Sequence, residues 1–361
     1  MSAADSVFIA EAMELAEKGR FTCAPNPTVG CVIFREGKVL GRGFHERTGE
    51  GHAEVNALHD AGGEVNGATV YLTLEPCAFV GRTPACANTL VDAGVSRVVV
   101  ATLDPHPKVA GAGVKILRQS GIQVDVLDLT EAQELITGYV MRELEGRPFV
   151  RVKTASSLDG AVSLATGESK WITGVEARAD VQYWRARSDA ILTGVETVIA
   201  DDPQLNVRAD QFRHCRQPLR VVLDSALRVP LNCKLLKDGA PTLLVHREGV
   251  DVPEAVASAP HLSCLALPDG PADLEAVLRH LAELGCNEVL VEAGAGVCGS
   301  FAEAGLWNEW LSYIAPRWLG GDARSLADFQ VADLATAPRG KVVDVTQIGD
   351  DIRLRIRAED V

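Results

Sequence analysis

The residues with the strongest chemistry in this chain are His52-Ala53-Glu54, then Pro76-Cys77, then Cys86. One imidazole and two thiolates make a three-ligand zinc site with an open fourth position, which marks catalytic rather than structural zinc. A carboxylate two residues after the histidine can move protons at that position. His-x-Glu, a Pro-Cys and a later Cys form the pattern used for hydrolytic deamination of a base. Zinc brings the pKa of its bound water to around 7. Glu54 would take that proton, help attack an amine-bearing ring carbon, and protonate the leaving ammonia. A glutamate suits this because it must reach both the metal-bound oxygen and the ring.

The elements around these residues follow from periodicity and punctuation. Val7 to Lys18 has helical spacing, with Asp5 or Ser6 as cap and Gly19 as stop. Thr28 to Phe34 and Lys38 to Phe44 read as a hairpin over Glu36-Gly37. A helix follows directly on His52, from Ala53 to Ala61, and the strand Ala68 to Leu74 runs into Glu75-Pro76-Cys77. A second short helix opens near Cys86 and ends at Gly94. Both halves of the metal site therefore lie at helix N-termini, where the dipole favours thiolate. Arg97 to Ala101 and Gln123 to Leu127 read as strands and Gly113 to Ser120 as a helix, giving a helix-flanked sheet.

At 361 residues the chain is too long for one ordinary core and predicts two domains. A helix from Thr130 to Leu144 stops at Gly146 and Pro148, which sets the boundary: residues 1–146 and 147–361. The second half reads as strands at Phe149–Thr154, Ala190–Thr193, Arg220–Leu223, Thr242–Val245, Glu288–Glu292 and Leu311–Ala315. Its helices are Val175–Ala186 and Ala272–Leu284, and a hairpin over Gly349-Asp350-Asp351 closes it. The net charge of −14 argues against a broad nucleic-acid surface. No apolar run is long enough to span a membrane, and the acidic, amphipathic N-terminus is wrong for a secretory signal. A cytoplasmic location follows as the expectation. Nine cysteines, an odd and irregular set, favour metal chemistry for two of them over disulfides, with the others as packing residues.

The Cys77 to Cys86 gap holds eight residues, where nucleoside and tRNA deaminases usually place two. Together with APNPTVG, GHAEVNAL, TLEPC, GRTPAC and DPHPKVAGAG, it resembles the deaminase domain of the bifunctional riboflavin-biosynthesis deaminase/reductases. The resemblance implies a cytidine-deaminase-like α/β/α domain with a mixed sheet. It also implies that Asn26, His45, Arg82 and Asp104 contact a phosphorylated pyrimidine. Before their prolines, Asn26 and Asp104 also suit simple turns. The family usually has His at the position of Phe79 and Asn at that of His106; both changes fall where it grips its substrate.

The second half resembles the reductase domain of the same family through VKTASSLDG, GESKWITG, WRARSDAILTGVETVIADDPQLNVR, VVLDS and VEAGAGVCGSF. The implied fold is dihydrofolate-reductase-like α/β, not a Rossmann domain, since no G-x-G-x-x-G follows a first strand. The turn Glu292-Ala-Gly294-Ala295-Gly296 lets backbone N–H groups approach a phosphate. By resemblance, Ala155, Trp171, Thr197, Asp201, Ser225 and Gly294 to Gly296 touch NADPH. Lys153, Ser169, Arg185, Leu205, Arg208 and Glu292 face the substrate. Arg185 and Arg208 suit a phosphate clamp, or surface pairing with Asp189, Asp201 or Asp202. Domains of this kind commonly pair, so a homo-oligomer is expected. Four other readings stay open: a related deaminase/reductase acting on a variant pyrimidine in another pathway, a nucleic-acid deaminase with an accessory domain, a non-catalytic binding relative, and a chain with only its reductase active.

Overall fold

The computed structural model describes residues 2–78, 85–106 and 109–359. The chain divides into two compact units, Met1–Gly146 and Arg147–Val361.

In the first unit the elements run α1 (Ala3–Gly19), β1 (Gly30–Arg35), β2 (Lys38–Phe44), α2 (Ala53–Asp60), β3 (Thr69–Leu72), α3 (Cys86–Asp92), β4 (Arg97–Val100), α4 (Ala112–Gln119), β5 (Gln123–Val126), α5 (Thr130–Leu135) and α6 (Thr137–Glu145). Ser2, not Asp5 or Ser6, caps α1; Asp5 closes a reciprocal capping box and then pairs with Arg97. The sheet order is β2-β1-β3-β4-β5, with β1 antiparallel to both neighbours and β3, β4 and β5 parallel. Cys31, Ile33, Val70, Leu72, Val98 and Val100 bury one face beneath α2, α3 and α4. Val32, Tyr71 and Val99 bury the other beneath α1 and α5. Three layers result. The helix expected over 130–144 is two helices, interrupted at Ile136. Leu135 and Ile136 turn inward to pack with Ala16 and Leu74, and that burial outweighs helical continuity.

Two glycines bring the site's first helix close to the sheet. A Cβ on Gly41 would lie 2.2 Å from the Ala57 carbonyl, and one on Gly43 2.3 Å from that of Ala53. Only bare backbone on β2 lets α2 sit there, and α2 carries His52 at its N-cap and Glu54 in its first turn.

The second unit runs β6 (Phe149–Ser157), β7 (Ala161–Ser163), α7 (Val175–Arg187), β8 (Ala190–Gly194), α8 (Val195–Asp201), β9 (Leu219–Leu223), α9 (Lys234–Lys237), β10 (Thr242–Arg247), α10 (Glu254–Ala257), β11 (Leu262–Leu267), α11 (Leu274–Glu283), β12 (Glu288–Val291), α12 (Ala295–Glu303), β13 (Glu309–Ala315), β14 (Arg324–Ser325), β15 (Gly340–Ile348) and β16 (Asp351–Ala358). Its main sheet is ordered β11-β10-β9-β8-β12-β6-β13-β16-β15. The first seven strands in that order are parallel, and the β15–β16 hairpin adds on antiparallel. Helices α11 and α12 cover one face and α7 to α10 the other.

Beneath α7 the core is ionic. Arg151 donates to Glu309 at 2.6 Å and to Glu288 at 2.8 Å, and Arg187 forks onto Glu288. Arg355 and Arg357 reach the other oxygen of Glu309, which has no solvent exposure. The Trp184 ring lies within 4.9–5.5 Å of the Arg151, Arg187, Arg353 and Arg355 guanidiniums. Charge-assisted bonds satisfy what burial would otherwise make costly. They also fix α7, which carries Arg185.

Candidate active sites

In the first unit His52 ends the loop before α2, Cys77 follows β3, and Cys86 opens α3. Their ligand atoms all lie within 4.8 Å of one another. His52 Nδ1 is 3.3 Å from Cys86 Sγ and 3.8 Å from Cys77 Sγ. Tetrahedral zinc with ordinary Zn–N and Zn–S bonds needs ligand separations of roughly 3.5 Å, so this donor set fits the ion. The Cys86 thiol and backbone N–H, with His52, hold Cys77 down to about 4. The same contact pushes Cys86 up, so the pair shares one proton. Burial pushes the Glu54 carboxyl up to about 7.

A cavity of about 720 Å³ opens in front of this cluster. Asn26, His45, Glu54, Asp104 and His106 all line it. His45 is buried, and burial lowers its pKa. The Gly51 carbonyl, 3.1 Å from Nδ1, accepts a hydrogen bond from that nitrogen. Nε2 of the neutral ring is then the acceptor for the Asn26 amide at 2.9 Å, which leaves the Asn26 carbonyl oxygen for a ligand. Asp104 does make the turn its position before Pro105 suggested, accepting from the His106 N–H at 2.8 Å. It also faces the cavity and accepts from the Tyr139 hydroxyl at 3.4 Å. Arg82 and Phe79 lie outside the described residues.

Four residues of this cavity escaped sequence reasoning. Glu75 accepts from the N–H groups of Asp104, Gly111 and Val114 at 2.9–3.3 Å, tying the Asp104 turn and the start of α4 to the segment that carries Cys77. Its place just before Pro76-Cys77 was the available signal. Tyr139, Arg142 and Glu143 come from α6 at helical spacing, and Glu143 lies 3.2 Å from His106 Nε2. Nothing local distinguishes that helix face.

In the second unit the candidate residues gather at the carboxyl ends of adjacent parallel strands, where open α/β sheets bind ligands. Glu292 follows β12 and takes both branches of the Arg185 guanidinium at 2.6 and 2.9 Å. Burial works against both charges and their mutual attraction overrides it. Arg185 is therefore not in a surface pair with Asp189, Asp201 or Asp202. Lys153 on β6 is half-buried, and burial lowers its pKa against the pull of Glu292. Leu205 holds a left-handed backbone (φ 45°), and the next carbonyl, of Asn206, accepts from Arg185. Arg208 alone of the expected clamp has an exposed guanidinium.

The expected cofactor residues sit alongside. Gly294 caps α12, and a Cβ there would lie 3.7 Å from Thr197 Oγ1, so the α8 and α12 starts face each other. Gly296 has nothing within 4 Å of its Cβ position, an open cradle for a phosphate at a helix N-terminus. Ala155 is on β6, Asp201 ends α8 and pairs with Lys170, and Ser225 follows β9. Ser169 and Trp171 lie on the segment before α7, with the exposed Trp171 ring under Arg178 at 4.5 Å.

The comparisons with known proteins agree along nearly the whole chain. Residues 2–102 match the cytidine and deoxycytidylate deaminase zinc-binding region, and residues 148–354 match the RibD C-terminal domain. The riboflavin biosynthesis protein RibD of Haemophilus influenzae is 44% identical, over 98% of this chain and 97% of that protein. Its Escherichia coli counterpart is 42% identical over 98% and 99%. This chain belongs to the RibD family. The solved structure of Acinetobacter baumannii RibD superposes with a TM-score of 0.91 at 43% identity, covering 99% of both chains. That of the Thermotoga maritima diaminohydroxyphosphoribosylaminopyrimidine deaminase/5-amino-6-(5-phosphoribosylamino)uracil reductase gives 0.89 at 32%, covering 98% of both.

As a RibD the chain is a bifunctional enzyme of riboflavin biosynthesis, a hydrolytic deaminase joined to a reductase. Zinc belongs to the first activity and a nicotinamide cofactor to the second. Among the described residues no helix is long and apolar enough to cross a membrane.

Proposed function

We propose that the first unit removes the 2-amino group of 2,5-diamino-6-ribosylamino-4(3H)-pyrimidinone 5′-phosphate. The second then reduces the ribosyl group to ribityl with NADPH, giving 5-amino-6-ribitylaminouracil 5′-phosphate. The observation that carries the reading is His52, Cys77 and Cys86 converging beside buried Glu54 at the floor of a cavity able to hold a pyrimidine. Zinc held by those three side chains supplies Lewis acidity and an acidified water near neutral pH.

The protein's own groups do the rest. Glu54 carries a proton from the attacking water to the departing amine, a task suited by its raised pKa. Asn26, locked by neutral His45, presents its carbonyl oxygen to a ring N–H, and Asp104 offers a second acceptor across the cavity. Glu75 holds Asp104 in place through the backbone. In the reductase, NADPH supplies the hydride. Thr197, Asp201, Ser225 and the Gly294–Gly296 turn hold the dinucleotide, with Ala155 and Trp171 beside it. Lys153, Ser169, Leu205 and the Arg185–Glu292 pair orient the sugar chain, and Arg208 extends an open guanidinium to its phosphate.

The assembly is a cytoplasmic homo-oligomer. None of the nine cysteines is held in a disulfide, which suits a reducing compartment. The exposed valines 342, 343 and 345 on edge strand β15 suit cover by another copy. Incubating the purified protein with the diaminopyrimidine phosphate, with and without NADPH, tests the function by mass spectrometry. Exchange of the amine for oxygen without NADPH, and gain of two hydrogens on its addition, are expected. An unchanged substrate in both incubations overturns it.

A further inference from the structure

The strands that end at the reductase site form a row, and the row has a cationic end to which no role has been given. From β6 through β12, β8 and β9 to β10 is four strand steps, or about 19 Å at the usual spacing. Lys153 and Ala155 mark the β6 end, Thr197 and the Gly294–Gly296 turn the middle, and Ser225 the end of β9. A dinucleotide extended along this edge, with its pyrophosphate at the α12 N-terminus, brings its adenosine ribose over β9 and β10.

The structure puts an arginine there. Arg247 ends β10, and its backbone N–H donates to the Ser225 carbonyl at 3.1 Å. The parallel register pairs Val245 with Leu223, so Arg247 falls opposite Ser225. The turn beneath them is built: Asp224 accepts from Leu227 N–H through its carbonyl at 3.2 Å and from Val229 N–H through its carboxylate at 2.8 Å. Arg228, in that same turn, is held by Glu196. Arg247 is exposed and makes no ion pair among the described residues. An exposed guanidinium without an ion pair among the described residues, on the residue that lies opposite Ser225 in the register, is suited to a phosphate monoester.

We propose that Arg247, with Ser225, holds the 2′-phosphate of the adenosine ribose and so selects NADPH over NADH; this rests on the cofactor placement given above. A charge-assisted bond of this kind corresponds to about tenfold to a hundredfold in affinity. Calorimetric titration without substrate tests it, using NADPH, NADH, 2′,5′-ADP and 5′-ADP on the wild type, Arg247→Ala and Arg247→Lys. The wild type should bind NADPH and 2′,5′-ADP at least tenfold tighter than their counterparts lacking the 2′-phosphate. Arg247→Ala should lose that margin with NADH binding unchanged, and Arg247→Lys should keep part of it. Equal weakening of NADPH and NADH, or no weakening of either, overturns the role of Arg247 while leaving the cofactor site standing. A wild type that binds neither dinucleotide overturns the cofactor placement and the proposal together.

Discussion

Glu309→Gln removes the anion at the centre of the buried cation cluster in the second unit. Burial opposes the charge of Glu309, and Arg151 and Arg355 override it, holding the carboxyl down to about 2 from an ordinary 4.5. That depression corresponds to about 3 kcal/mol of stability near neutral pH. Removing one partner of a buried ion pair costs a similar amount, about 3–5 kcal/mol. All five tryptophans lie in the second unit, so their fluorescence reports its unfolding separately from the first. For a unit of this size the thermal midpoint should fall by roughly 6–12 °C. The pH dependence carries the sharper test. A depressed carboxylate gives stability that is present above its unfolded pKa and lost as pH falls through its folded one. The wild type should therefore lose its advantage between 4.5 and about 2, because glutamine does not titrate. A variant within about 0.5 kcal/mol of wild type at neutral pH, or a gap that persists undiminished across that window, would refute the reasoning.

Other expectations address the sites. Glu54→Gln should slow ammonia release by about 10²–10⁴-fold while leaving zinc content and reduction of the deaminated compound unchanged; a parallel loss of reduction would show a folding defect instead. Asn26→Ala should raise the deaminase KM by about tenfold, the worth of one or two hydrogen bonds, with little change in kcat. Gly113→Ala places a Cβ 2.0 Å from the Pro76 carbonyl and should displace the neighbouring Cys77. Zinc affinity measured by chelator competition should fall, with reduction intact. Arg185→Leu strands Glu292 in a buried setting and should destabilise the second unit by about 3–5 kcal/mol, read by the same tryptophan fluorescence.

The convergence of His52, Cys77 and Cys86 beside Glu54 was legible because the chemistry proposed for them depends on residue type and close spacing, which a linear sequence preserves. The strands were legible from apolar runs such as Val98 to Val100, which the structure buries completely. The failures share a cause in long-range packing. Nothing near Ile136 announces a helix break; it comes from Leu74 and Ala16, distant in sequence. Helix α12 opens inside the turn from Glu292 to Gly296, although Gly296 and Gly299 suggest loop. A Cβ on Gly299 would sit 2.0 Å from the Asp328 carbonyl, so that glycine serves a close approach inside a helix. Strand β11 is an exposed edge with Cys264 at its surface, so that cysteine is not the packing residue expected, and the strand lacks a buried face to betray it. Glu292 and Arg185 were each singled out, yet their pairing spans 107 positions. Only the fold shows that these two satisfy one another.

The most direct measurement is zinc content per chain alongside ammonia release, before and after chelation, with reduction of the deaminated compound followed in parallel. One zinc per chain, with ammonia release lost on chelation and regained on adding zinc while reduction continues throughout, is the result the geometry of His52, Cys77 and Cys86 requires. Full ammonia release from protein carrying no metal would contradict it.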